Sequence, residues 1–265
     1  MKTRIFSFSM LLVLVLYMFG CNAQHTVRQT YTIYEPIYKD AEEIRTGVKN
    51  TSPRELNNPG KIYVYGKYLF INESGKGVHI IDNSNPSSPQ FVSFIKIPGN
   101  GDIAIRNNIM YCDSYIDLVA MDISDPVDAK IVKRLEGIFP NPLDLESQFS
   151  NPDKGIVVGY KERDTVITRT YSGDDNPVGN TIREIRPITA DGGTPLRGGE
   201  NRSYSNKGQT GIAGSMARFT IYSNYLYVID RSTMHTFDIG NPPDPKPWNK
   251  IDIGWNIETI FPYKD

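Results

Sequence analysis

The chain writes one phrase three times, and that repetition constrains its fold more than any other feature. A short aromatic or aliphatic strand follows a two-residue turn. It leads into a second strand that ends in Asp, and a proline follows four residues after that Asp. The copies are Tyr68-Leu69-Phe70-Ile71 with Ile81-Asp82-Asn83-Ser84-Asn85-Pro86, Ile109-Met110-Tyr111-Cys112 with Met121-Asp122-Ile123-Ser124-Asp125-Pro126, and Tyr225-Leu226-Tyr227-Val228 with Phe237-Asp238-Ile239-Gly240-Asn241-Pro242. The first two signature aspartates stand 122 − 82 = 40 residues apart. A period of that size is typical of four-stranded propeller blades or a comparable β array, each unit burying its apolar face against the next.

The first unit reads as four strands: Lys61 to Tyr65, Tyr68 to Asn72, Val78 to Asp82 and Gln90 to Ile97, with Gly66-Lys67 as the first turn. The second repeats them at Asp102 to Arg106, Ile109 to Asp113, Asp117 to Asp122 and Ala129 to Leu135. In the Asp-x-Ser-Asn/Asp-Pro phrase, the second acidic or amide side chain can accept from a backbone amide two residues on. The proline forces its predecessor out of the helical region, so these acidic residues are read as turn builders. From Asp122 to Asp238 there are 116 residues, close to three periods. Gly155 to Tyr160 and Thr165 to Tyr171, joined by Lys161 to Asp164, are expected as a hairpin forming the outer half of a degenerate third unit. Ser172 to Gly214 is rich in Gly, Asn, Arg and Ser without an apolar period, and reads as a long insertion. A clear unit resumes at Met216 and runs to Ile253. Trp255 to Tyr263 is expected as the first strand of a further unit, so the sequence reads as a fragment of a longer frame, with about four blades and the start of a fifth.

Ahead of the repeats, Met1-Lys2-Thr3-Arg4 is a short basic start, and Ile5 to Phe19 is an apolar stretch interrupted by Ser7 and Ser9. It is too short for a comfortable membrane span and reads as an export signal over residues 1–20. Gly20-Cys21 resembles the bacterial lipobox, which makes Cys21 the lipid-attachment residue of an exported chain that sits on a membrane without crossing it. Residues 21–59 are then a lipidated tether carrying a strand at Tyr31 to Tyr38, with Pro36 marking an edge, and a short helix within Asp40 to Val48. Residues 60–265 form the repeat region, with the Gly-rich insertion at 172–214.

The other cysteine, Cys112, aligns with Ile71 and Val228 and is expected to be a small buried hydrophobe. Removing Lys2 and Arg4 with the leader leaves 27 − 30 = −3 charges, which offers no footprint for a polyanion and argues against nucleic acid. Sixteen tyrosines against two tryptophans suit half-exposed strands.

The phrases Gly77 to Pro86, Leu118 to Pro126 and Thr236 to Pro242 resemble the LVIVD-repeat family of β-propeller proteins, and with the lipoprotein-like leader the chain is similar to LVIVD-repeat lipoproteins of Bacteroidetes-type bacteria. The resemblance implies an all-β propeller exported to the cell envelope, on the periplasmic or cell-surface face, and it carries no catalytic residues to transfer.

Candidate chemistry is sparse. His79 and His235 each lie three residues before a signature aspartate, so they share a repeat position, but the second unit has Val119 there and no third ligand stands at metal-site spacing. Asp113 with Asp117, and Asp174-Asp175, lack the spaced oxygen ligands of a calcium loop and read as turn residues. There is no Gly-x-Ser-x-Gly, and Gly211-Ile212-Ala213-Gly214-Ser215 lacks the ending of a phosphate loop. The sequons at Asn50, Asn72 and Asn201 carry no weight in a bacterial lipoprotein. The expectation is a membrane-anchored, non-catalytic binding or scaffolding module with no cofactor, presenting loops to a protein or glycan partner. The alternative is a hydrolase or lyase of propeller type, whose site at a central channel draws on Asp102, Arg106 and Arg218.

Overall fold

The computed structural model describes residues 24–141, 143, 152–172, 217–254, 257, 259, 260 and 262. The export signal, Cys21 and residues 173–216, with the insertion and Asp174-Asp175, lie outside them. The chain divides into two compact units, residues 1–35 with 161–186 and residues 36–160 with 187–265.

The second unit holds three antiparallel sheets built from the repeats. Sheet one comprises β3 (Pro59–Tyr65), β4 (Tyr68–Glu73), β5 (Gly77–Asp82) and β6 (Gln90–Lys96), with β2 (Lys49–Thr51) added to the β6 edge. Sheet two is β7 (Ile103–Arg106), β8 (Ile109–Ser114), β9 (Asp117–Asp122) and β10 (Lys130–Leu135). Sheet three is β12 (Phe219–Tyr222), β13 (Tyr225–Asp230), β14 (Thr233–Asp238) and β15 (Lys246–Asp252). The eight strands expected for the first two units fall within a residue or two of their places; β2, a Lys-Asn-Thr triplet with no strand signal of its own, joins by pairing Asn50 with Ile95.

Alternation of side chains explains how the sheets stack. On β8 and β9, Met110, Cys112, Val119 and Met121 pack with Phe70, Val78, Ile80 and Ile95 of sheet one. Their neighbours Ile109, Tyr111, Leu118 and Ala120 pack with Phe219, Leu226, Val228 and Phe237 of sheet three. β8 and β9 are therefore buried on both faces and lack the half-polar alternation of a one-sided sheet. Cys112 is fully buried among aliphatics, as its alignment with Ile71 and Val228 requires, and burial pushes its thiol pKa up.

The turns repeat as closely as the strands. The first residue of each opening hairpin turn has positive φ: Gly66 at 58°, Asn107 at 47° and Ser223 at 53°. At the signature turn the leading aspartate accepts from the amide two residues on, in Asp82 to Ser84, Asp122 to Ser124 and Asp238 to Gly240, each at 2.8 Å. The second side chain does the same in the first two units, Asn85 from Ser87 at 3.2 Å and Asp125 from Val127 at 3.1 Å.

Two expectations are corrected. Residues 155–171 are not a hairpin. Ile156–Ser172 is one continuous strand, β11, paired in a two-stranded sheet with β1 (Gln24–Lys39). The polar Lys161 to Asp164 segment looked like a turn, but it has no Gly, Asn or Pro to reverse the chain. It stays extended, and Arg163 meets Glu35 while Asp164 accepts from Thr32 Oγ1 at 2.8 Å. The second correction concerns the segment 255–263, where the described residues carry no strand; there the Ile257 and Ile260 amides donate to Arg231 O and Ala217 O at 2.9 and 2.8 Å. The expected helix is present as α1 (Ala41–Thr46), its N-cap Asp40 accepting from the Glu42 amide at 2.8 Å.

Candidate functional site

The edge strands β3, β7 and β12 are each preceded or entered by one charged residue in one repeat position. Ile62, Ile103 and Phe219 pair with Ile71, Cys112 and Val228, so Lys61, Asp102 and Arg218 are structural equivalents. They converge. Lys61 Nζ lies 3.1 Å from Asp102 Oδ1 and donates to the carbonyls of Ile103 and Phe219, both at 3.1 Å. Asp102 has no exposed surface; its Oδ2 accepts from the Arg218 and Phe219 amides at 2.6 and 2.8 Å, and its Oδ1 from the Ile103 amide at 2.6 Å. Burial pushes the Asp102 carboxyl upward, and Lys61 and these amides oppose it.

Arg218 extends the chain of charges. Its Nη2 donates to Asp113 Oδ2 at 2.5 Å, and Asp113 Oδ1 accepts from the Gly101 and Asp102 amides at 2.7 and 3.1 Å. Asp113 raises the Arg218 pKa further. Gly101 leaves room for this pairing, because a Cβ there would meet Arg218 Nη2 and push the guanidinium away from its place on Asp113. Beside this pair is a small cleft with room for about one water molecule, bounded by Asp113, Arg218 and Asp230 and walled by Tyr115, Phe139 and Pro140.

Asp230 closes β13 at the position that Glu73 occupies on β4 and Ser114 on β8. Glu73 is buried and fully engaged by Arg54 at 2.5 Å and by Lys76 and His79 at 2.7 Å each. Burial alone would raise its pKa, but Lys76, His79 and Arg54 outweigh that and hold it at about 2. Asp230 is almost as buried, yet among the described residues its Oδ2 has no hydrogen-bond partner, and Arg231 Nε lies 3.8 Å from the other oxygen. Burial raises its pKa against the pull of Arg231 and Arg218.

The remaining sequence candidates go elsewhere. Arg106 lies at the opposite end of β7 from Asp102, where it donates to the Ser223 carbonyl and to Asn224 Oδ1 at 2.7 Å. It ties one hairpin turn to the next, as Tyr65 does by accepting from the Asn108 amide at 2.9 Å. His79 and His235 do share a repeat position, but they lie in sheets one and three with sheet two between them. His79 bonds Glu73 and packs against Phe94, and His235 is wedged against Phe139 and Phe237 with Nε2 unpartnered. Asp113 and Asp117 are not the solvated turn residues expected, since both are buried on β8 and β9, and they do not act as a pair: Asp117 holds Arg45 at 2.9 Å, Arg134 at 3.1 Å and the Gly137 amide at 2.9 Å.

Lys61, Glu73 and Asp230 were missed as members of this set. For Lys61 a signal existed: Lys61, Asp102 and Arg218 each stand five residues before the first turn residue, at 66, 107 and 223. Nothing local marks Asp230 as lacking the three donors that surround Glu73, because Arg54 comes from outside the repeat.

Among proteins of known family, residues 59–95 match the LVIVD repeat, a segment that spans β3 through β6 almost completely. No curated protein and no solved structure matches the chain.

Proposed function

We propose that this protein is a lipid-anchored binding or scaffolding module of the bacterial cell envelope, in which the repeat sheets are propeller blades and the anchor is Cys21. The single observation that carries the non-catalytic reading is the fate of the charges that open the edge strands. Lys61, Asp102, Arg218 and Asp113 are consumed by one another and by backbone amides, the arrangement of a structural stitch and not of a poised nucleophile with its base. What such a stack offers a partner is its rim of connecting turns and the cleft beside Arg218, held on rigid strands. A protein or glycan of the envelope is the partner class that suits the exported location.

A second reading has one observation in its favour. Asp230 is a buried carboxyl of raised pKa with a free oxygen beside an arginine, a combination used by general acids. Purified chain is to be assayed against lactone and glycoside panels and, in parallel, used for crosslinking in intact envelopes. A defined crosslinked partner with no turnover supports the binding module; turnover abolished by Asp230→Asn replaces it with the hydrolase.

A further inference from the structure

We propose that the cleft at Asp230 is a recognition site for a primary ammonium group, such as a lysine side chain of the partner. The inference deepens the binding-module reading and rests on it for its biological setting. The argument comes from comparing one backbone position in two sheets. Where β4 ends, Glu73 is buried and receives two cationic side chains and an imidazole, all from this chain. Where β13 ends, Asp230 is buried to nearly the same degree, but among the described residues nothing donates to its Oδ2. A buried carboxylate oxygen without a donor is costly, and the sheet-one solution shows that a cationic N–H donor relieves it at this position.

The surroundings of Asp230 specify the donor further. Arg218 is turned to Asp113 at 2.5 Å, so its charge is matched within the protein and does not repel a second cation as a free guanidinium would. Tyr115, Phe139 and Pro140 form an apolar and aromatic wall, suited to the methylene stem and the charge of an alkylammonium. The enclosed part of the cleft has room for a group of about the size of one water molecule, which an ammonium head matches and a planar guanidinium exceeds.

The test is a titration of isotope-labelled protein with n-butylammonium chloride, followed through the methyl signals of Val228 and Ile229 and run against n-butanol at matched ionic strength. The expected result is saturable binding of the amine, on the order of millimolar, and none of the alcohol. Asp230→Asn is expected to weaken binding by about tenfold or more, as loss of a charge-assisted hydrogen bond requires, while Asp244→Asn at an exposed carboxylate leaves it unchanged. Equal shifts with amine and alcohol, or no saturable shift with the amine, overturn the site even if Asp230→Asn fails to fold. Failure here does not touch the envelope crosslinking result, and turnover of a substrate would overturn the module while leaving amine binding to stand on its own.

Discussion

Replacing His235 with phenylalanine should remove a specific part of the acid sensitivity of the fold. His235 is 5% exposed, its ring 5.3 Å from Phe139 in an edge-on contact and parallel to Phe237, and its Nε2 has no partner. Burial, with a smaller contribution from Lys250 across the β14–β15 pair, depresses its pKa from 6.5 to about 4. The sign follows from which state binds the proton. Between those two values the unfolded chain is protonated at this ring and the folded chain is not, so stability is complete above the unfolded value and is lost as pH falls toward the folded one. Linkage over that window gives a loss of about 2 kcal/mol on going from about pH 7.5 to about pH 5. Phenylalanine fits the same aromatic slot without a titrating nitrogen. Urea unfolding followed by circular dichroism at the two pH values, for both proteins, isolates the contribution as a difference of differences. Asp102 and Asp230, whose raised values favour the fold as pH falls, contribute equally to both and cancel. If the His235→Phe protein loses the same stability on acidification as the parent, the histidine is not held neutral by its surroundings and the reasoning fails.

Other perturbations report on other parts of the structure. Asp102→Asn leaves Lys61 without its buried counter-charge and should cost about 3–5 kcal/mol, read as a fall in the urea midpoint; a change below about 1 kcal/mol would remove Asp102 from its role as the stitch between sheets. Ser223→Gly, at φ 53°, should stabilise by about 1 kcal/mol because glycine adopts that conformation without a Cβ clash, as Gly66 already does in sheet one. Cys21→Ser should abolish incorporation of radiolabelled palmitate and release the protein from the membrane fraction; unchanged labelling would refute lipidation at that residue.

Strand positions were legible because they depend on signals that recur within a few residues: alternating apolar side chains, two-residue turns and the Asp-Pro exit. The hairpin expected at residues 155–171 failed where the local signal was ambiguous. A polar tetrapeptide without a turn former can lie in a loop or in a long strand, and pairing with β1 decides between them. The site was half legible. Asp102 and Arg218 stand at the starts of the edge strands β7 and β12 and converge, whereas Arg106 sits at the far end of a four-residue strand. Telling the ends of so short a strand apart requires knowing which turn of the neighbouring sheet it faces, which is a tertiary fact.

Equivalent positions in the three sheets carry different residues, and the differences match each sheet to its neighbour. Were Lys61, Asp102 and Arg218 identical, three like charges would meet at one end of the edge strands, at a cost of several kcal/mol in a buried setting. The acid instead lies on the middle sheet and the bases on its two neighbours, so Lys61 and the Arg218 backbone both find Asp102, and the Arg218 side chain finds Asp113 on the same middle sheet. The short link from Lys96 to Ile103 already makes the first two sheets neighbours, and the charged residues at the strand starts add a polar match between each pair of adjoining sheets, as polar groups in other repetitive cores help fix register. Asp230 stands outside this pairing, and its free oxygen is for that reason the group in the cleft through which a cation from outside the chain can be selected.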